Sequence, residues 1–243
     1  MSESPERQSA DNIVSQAKFG KESLIARYPW LERFKPYHSM LDHQTYRIVK
    51  RAMDLIVIVA ALPFWAPLIA LCALFIKIEL PRGTVFFMQE RTGKGGKRFK
   101  MYKFRTMGMD AELQKLELAH LNELQWPDFK ITHDPRTTYI GNILRKTSLD
   151  ELPQIINVLR GEMSLVGPRP TSFSAETYAL WQTERLDVIP GITGLWQLIG
   201  RGETEFDERL RMDIAYIERR CIWLDTQIFF RTFFAVIRRK GAF

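Results

Sequence analysis

Residues 55–76 read LIVIVAALPFWAPLIALCALFI, 22 residues without a charge and almost all apolar. A run of this length is enough for a transmembrane helix. Two prolines, Pro63 and Pro67, interrupt its middle and leave Leu55–Leu62 and Leu68–Ile76 as arms. Each arm would rise about 12–14 Å, against a hydrocarbon core of about 30 Å. Both flanks are basic, with Lys50 and Arg51 before and Lys77 and Arg82 after. The charge asymmetry that orients a spanning helix is therefore missing. Two readings stand side by side: a broken helix that dips into one leaflet and returns, and an ordinary kinked transmembrane helix. The first needs partners for the carbonyls that proline frees, because unpaired backbone groups are costly in lipid. Pro67 is the expected break.

Working outward, this segment divides the chain into an N-terminal extension (1–46), a membrane helix (47–80) and a catalytic-sized remainder (81–243). The extension is polar, with scattered aromatic and basic residues and no secretory signal pattern. At 243 residues the chain can bury a substantial core. A net charge of +7 points to phosphates, nucleic acid or an anionic membrane surface as partners. Cys72 and Cys221 have no metal-ligand spacing, which argues against a disulfide framework or structural zinc and fits a cytosol-facing location.

Beyond the apolar run, RTGKGGKRFKMYKFR (91–105) holds seven cations and no acid. With Phe86 and Phe87 before it and Phe99, Tyr102 and Phe104 within it, the pattern predicts a β-hairpin. Its glycines are in neither GxGxxG nor Walker order, so no nucleotide fingerprint is present. The hairpin reads either as a site for phosphates and lipid headgroups or as a solvated basic surface. ELQKLELAHLNELQ (112–125) predicts an amphipathic helix. ITHDPRTTYIGNILRK (131–146) carries Arg136, Arg145 and Lys146 towards an acidic pair, and the loops VGPRP (166–170) and PGITGLWQLIGRG (190–202) carry Arg169 and Arg201. From Glu205 a stripe at helical spacing, Leu210 to Ile228, reads as a core face, and QIFFRTFFAVIRRK (227–240) differs in having an apolar run that ends in cations as interfacial helices do.

The acidic pair is Asp150-Glu151, within TSLDELPQ (147–154). Ser148-x-x-Glu151 has the spacing of a capping box, but Pro153 would then be the fifth helical residue and break an intrahelical bond. With Asp150 as the cap, Pro153 moves to the third position and a short helix runs to Gly161. A plain cap of this kind contributes roughly 1 kcal/mol.

The chain from Lys50 to Phe243 resembles the bacterial sugar transferase family, the monotopic phosphoglycosyl transferases. The resemblance rests on KRAMDL, FMQERTGKGGKRFKMYKFRTM, DPRTTYIGNILRKTSLDELPQIINVLRGEMSLVGPRP, PGITGLWQLIGR and the closing DIAYIERRCIWLD…RRKGAF. LRKTSLDELPQ and SLVGPRP together are its most diagnostic runs. It implies a small helix-dominated α/β fold with a re-entrant membrane helix and interfacial helices at 205–220 and 227–240, on the cytoplasmic face of a bacterial inner membrane. The implied reaction moves a phosphosugar from a UDP-sugar to polyprenyl (undecaprenyl) phosphate, releasing UMP, as the first step of exopolysaccharide, capsule, O-antigen or glycoprotein glycan assembly. Asp150 is the implied nucleophile, forming a covalent aspartyl–phosphosugar, and Glu151 the implied ligand of Mg²⁺. One departure stands out: the family commonly carries Ser-Pro at the helix break, where this chain has Ala66-Pro67.

The chemistry suits these residue types. A carboxylate at a helix N-terminus is held ionised, and the same terminus attracts phosphates. Attack by an anion on a diphosphate needs neutralising charge. Lys103, Arg105, Arg145, Lys146, Arg169 and Arg201 are the candidates for phosphate contacts, Arg145 foremost because it lies five residues before Asp150. Asp213 is a further polar site residue that the resemblance implies. The expected partners are the UDP-sugar, polyprenyl phosphate and membrane lipids, with no nucleic acid and with room for a homo-oligomer. A competing reading is a membrane-anchored basic protein that binds lipid or nucleic acid without catalysis. It leaves the adjacent acids unexplained.

Overall fold

The apolar run folds as two helices, His43–Ala60 (α1) and Leu62–Glu79 (α2). This computed structural model describes residues 29–34, 42–115, 117–123, 131, 133–199 and 205–237. Asp42 caps α1, its carboxylate accepting from the Thr45 N–H at 2.6 Å. The interruption falls at Ala61, with Pro63 in the first turn of α2, where a missing N–H loses no bond. Pro67, the expected break, lies inside α2 instead. Near the interruption the Trp65 indole Nε1 donates to the Ile58 carbonyl at 2.8 Å. A side chain thus serves a backbone group at the bend although Ala66 offers no hydroxyl.

Each of these helices has an inner and an outer face. Tyr46, Asp54 and Ile58 of α1 and Cys72 and Ile76 of α2 are buried, while Ile56, Val59, Phe64, Leu71, Leu74, Phe75 and Ile78 are exposed. Among the described residues α2 is the one helix long and apolar enough, by length and composition, to cross a membrane. Both far ends of the α1–α2 pair are bonded to the rest of the fold. At the start, the Tyr46 hydroxyl donates to Asp225 at 2.7 Å; in mid-helix Lys50 Nζ pairs with Asp225 at 2.8 Å, Arg51 donates to the Val158 and Leu159 carbonyls, and Asp54 accepts from Ser164 Oγ at 2.7 Å. At the finish, Glu79 accepts from the backbone N–H groups of Tyr139 (2.7 Å) and Ile140 (3.1 Å).

The predicted hairpin forms. Phe86–Thr92 (β1) and Arg98–Phe104 (β2) pair antiparallel from Phe86↔Phe104 to Thr92↔Arg98, and Gly95 takes the left-handed conformation at the turn (φ 65°). A second, parallel pair joins Ser164–Val166 (β3) to Gly191–Thr193 (β4). Here a Cβ on Gly191 would lie 2.1 Å from the Gly167 nitrogen, so only glycine lets the VGPRP and PGITG loops touch. The remaining helices are Tyr139–Thr147 (α3), Ile155–Arg160 (α4), Leu195–Ile199 (α5), Phe206–Arg219 (α6) and Ile222–Ile237 (α7). Helices dominate, with two small sheets, as the α/β expectation required.

Three apolar clusters hold these elements together. Ile58 of α1 packs with Met101, Ile155, Val158 and Met163, and Cys72 and Ile76 of α2 pack with Phe104 and Leu144. The third joins Val166, Leu195, Tyr216, Leu224 and Ile228 to Leu31 and Phe34 from the N-terminal extension. Helix α6 departs from its expected place at an interface: Leu210 and the run Met212–Tyr216 are buried, so its apolar stripe is spent on the core. Helix α7 keeps Trp223, Phe230, Phe233 and Phe234 exposed. Residues 112–125 also differ from expectation. Their described part holds two single turns of 3₁₀ helix, Leu113–Lys115 and Ala119–Leu121, with Leu113 exposed. Without an apolar surface to pack against, a short amphipathic helix is marginal.

Candidate active site

The acidic pair lies on a 3₁₀ turn, Leu149–Gln154, between α3 and α4. Ser148, which ends α3, has a left-handed backbone (φ 58°), the one non-glycine residue with positive φ among those described. Such a conformation costs free energy and must be held by its surroundings. Asp150 is consequently not a helix cap. The helix starts at Ile155 with Gln154 before it, and Ser148 makes no capping bond.

Glu151 and Asp150 then go separate ways. Glu151 is clasped by two cations: Lys103 Nζ reaches Oε1 at 3.1 Å, and the Arg169 guanidinium grips both oxygens, Nη1 to Oε2 at 3.0 Å and Nη2 to Oε1. This fork-to-fork geometry is the strong form of an arginine–carboxylate pair. Among the described residues no hydrogen-bond donor reaches the Asp150 carboxylate. Burial pushes that carboxyl above the ordinary aspartate range, the Glu151 charge adds to the rise, and Lys103, Arg169 and Arg145 pull against it. Burial also opposes the charge on Glu151, but Arg169 and Lys103 outweigh it and hold that carboxyl far below its usual range.

Several elements fix these cations. Lys103 comes from β2, and Asn157 of α4 ties β2 to the helix that follows the dyad. Its Oδ1 accepts from the Tyr102 N–H at 2.9 Å, and its Nδ2 donates to the Lys100 carbonyl at 2.8 Å. Arg169 follows β3, in the loop that Gly191 lets close. Arg185 supports that loop, donating to the Arg169 carbonyl and to Asp213 Oδ2 at 2.8 Å. Arg145 is held by Thr106 Oγ1 at 3.0 Å and Thr137 Oγ1 at 3.2 Å, and its charge bears on Asp150.

Of the predicted site residues, Asp150, Glu151, Lys103, Arg145 and Arg169 come together here. Arg105 does not: its guanidinium bonds to Thr84 at the base of the hairpin. Lys146 is exposed on α3, and Arg201 lies outside the described residues. Asp213 is buried on α6 behind Arg169, with burial pushing its carboxyl up to about 7 against the pull of Arg185 and Arg209. Arg185 and Asn157 carried no distinguishing signal in the sequence: Arg185, between Glu184 and Asp187, reads as a solvated surface charge, and Asn157 lies within an apolar run.

Asp150 and Glu151 are the hard-oxygen donors available to a divalent cation. Among the described residues no three metal-binding side chains gather, so such an ion would need further ligands from a phosphate-bearing substrate.

The site is thus a turn entered through a left-handed Ser148, with an Asp150 carboxylate that accepts no bond among the described residues, neighbouring cations, and Leu149 and Leu152 packed against the apolar helix α2. The chain belongs to the bacterial sugar transferase family, which it matches over residues 45–239. It is 40% identical over 208 residues to the undecaprenyl-phosphate galactose phosphotransferase of Salmonella typhimurium, covering 84% of this chain and 43% of that protein. It is 39% identical over 211 residues to the UDP-galactose-lipid carrier transferase of Erwinia amylovora, covering 85% and 44%. Identity to the exopolysaccharide production protein ExoY of Rhizobium meliloti is 36% over 201 residues, covering 81% and 88%. The chain thus spans less than half of the first two relatives and most of the third.

Proposed function

We propose that this chain transfers a phosphosugar from a UDP-sugar to undecaprenyl phosphate, yielding the polyprenyl diphosphate sugar and UMP, as an initiating step of surface glycan synthesis. The names of its relatives support the substrates. The observation that carries the mechanism is the contrast inside the dyad: Glu151 has both oxygens occupied by cations, while Asp150 accepts no bond among the described residues. Asp150 Oδ attacks the phosphorus bearing the sugar, the bond from that phosphorus to UMP breaks, and UMP leaves with the electron pair. An oxygen of the lipid phosphate then attacks the same phosphorus and displaces the aspartate. Lys103, Arg145 and Arg169 neutralise charge on the crossing phosphoryl group. Mg²⁺, when bound, would add Lewis-acid neutralisation of the diphosphate. Asp150 and Glu151 would hold it, Glu151 yielding an oxygen from Arg169 or Lys103.

The test is incubation with UDP-sugars alone, followed by intact-mass measurement, and then UMP release on adding undecaprenyl phosphate. A mass gain of one phosphosugar is expected, absent in Asp150→Asn, whose turnover should fall by at least ~10³-fold. Near-normal turnover by Asp150→Asn would end the covalent assignment.

The same proposal places the protein at the cytoplasmic face of the inner membrane, with residues 47–80 as a re-entrant anchor and 81–243 as the catalytic unit. Support comes from the two ends of α1–α2: Tyr46 near the start, followed by Lys50, Arg51 and Asp54, and Glu79 at the finish bond to a single body of structure. A helix crossing straight through a bilayer would separate those ends. Single cysteines replacing Thr45 and Val85, in a chain freed of Cys72 and Cys221, should label from the cytosolic side only. Labelling from opposite sides would remove the re-entrant reading.

A further inference from the structure

Arg169 has a second surroundings besides Glu151. It lines a cavity of about 310 Å³ together with Arg91, Arg209, Trp196, Phe206 and Asp213. The cavity therefore opens beside the dyad, sharing one guanidinium with it. Three features of its wall specify what it takes. Arg91 and Arg169 supply positive charge for an anion. Arg209 packs over the rings of Trp196 (5.3 Å) and Phe206 (5.9 Å), making a flat cationic and aromatic surface. Asp213 is 1% exposed, and among the described residues its Oδ1 has no hydrogen-bond partner while Oδ2 is taken by Arg185. A buried carboxylate oxygen left unpaired is costly, and a ligand N–H or O–H would relieve it.

We infer that this cavity seats the nucleoside diphosphate half of the donor. The diphosphate lies on Arg91 and Arg169, the base lies against the Trp196–Arg209–Phe206 wall, and Asp213 accepts from a donor group of the nucleoside. Inorganic phosphate would satisfy the arginines but leave the flat wall and Asp213 without partners. A bare sugar would serve Asp213 and leave the cations unmatched. A prenyl chain is the wrong chemistry for a wall of guanidinium groups. The assignment rests on the proposed transfer reaction, because it takes the donor to be a nucleotide sugar. It adds which residues recognise the nucleotide, away from the reacting atoms.

The test uses the full chain carrying Asp150→Asn, so that binding is measured without turnover, titrated calorimetrically with UMP, UDP and inorganic phosphate. Trp196→Ala and Arg209→Met should each weaken UMP binding roughly tenfold, while Trp196→Phe, which keeps a ring, stays close to the parent. Arg209→Lys, which keeps charge and loses the planar stack, should fall between. Asp213→Asn should weaken UMP and leave inorganic phosphate unchanged. UMP affinity unchanged in Trp196→Ala and Arg209→Met overturns the assignment. So does a loss seen only as a sugar-dependent rise in KM with UMP binding intact, which would put the sugar in the cavity. If the unsubstituted chain releases no UMP from any UDP-sugar and binds neither UMP nor UDP, the transfer reaction itself fails. Release of UMP with unaltered UMP binding in the variants sinks the cavity assignment alone.

Discussion

Glu151 bonds the Arg169 guanidinium, Asp213 shares a cavity wall with Arg169, and each is a shielded carboxylate paired with an arginine. Glu151 meets two cations, Arg169 and Lys103, and both of its oxygens are bonded. Among the described residues Asp213 is bonded by Arg185 alone and keeps one oxygen unpaired. The outcome is opposite ionisation. The Glu151 carboxyl is held far below its usual range, whereas burial takes Asp213 up to about 7. At Asp213 the pull of Arg185 and Arg209 does not offset burial, whereas at Glu151 two cations bonded to both oxygens do. Arg185 links the two, since it bonds both Asp213 and the Arg169 carbonyl. The first pair is a fixed anchor for the site. The second is a half-filled arrangement that a ligand can complete.

The largest expected effect comes from breaking the fixed pair. Glu151→Gln keeps the shape but leaves Arg169 and Lys103 facing a neutral amide, so both cations lose their positioning partner. Turnover should fall by roughly 10²–10³-fold, the scale of removing one charge-stabilising group from a transition state. Removal of divalent cations by a chelator should cost the parent enzyme most of its activity, recoverable by adding Mg²⁺. UMP-release assays with undecaprenyl phosphate measure both. Full activity in excess chelator would remove the metal from the reading, and a fully active Glu151→Gln would reduce the pair to packing.

How far the site could be read in advance follows from the same contrast. Asp150, Glu151, Arg145 and Arg169 lie in runs dense with unusual neighbours: adjacent acids, Leu-Pro, and arginine between prolines. Their grouping was legible. Its geometry was not, because Pro153 suggested a cap where the chain forms a 3₁₀ turn entered through a left-handed Ser148. Arg105 looked equivalent to Lys103, two residues before it; what separates them is Thr84, a partner distant in sequence that gave no local signal. The bend of the membrane helix moved from Pro67 to Ala61 because Pro63 fits a first helical turn without losing a bond. Stripe periodicity marked Leu210 and Ile214 of α6 as a core face, and both are buried. Arg185 and Asn157 act through backbone carbonyls and N–H groups far away in sequence, which composition does not encode.

The smallest effect tests the half-filled pair through stability rather than activity. Asp213 has a folded-state pKa of about 7 against an ordinary value of 3.8. Between those values the folded protein holds a proton that the unfolded chain has released, so stability must fall as pH rises through this window. The contribution is fully present below about pH 3.8 and is lost once pH passes about 7. Asp213→Asn keeps an acceptor oxygen for Arg185 and cannot ionise. Its melting temperature, measured without nucleotide in detergent or nanodiscs, should therefore gain on that of the parent from pH 5 to about pH 7 and level off above it. A melting difference independent of pH would mean that Asp213 stays ionised throughout, matched by Arg185 and Arg209. The contrast with Glu151 would then lie in geometry alone. If adding UMP to the parent at pH 8 closes the gap, the unpaired Oδ1 has found the donor it lacks, and ionised Asp213 is the ligand-bound form.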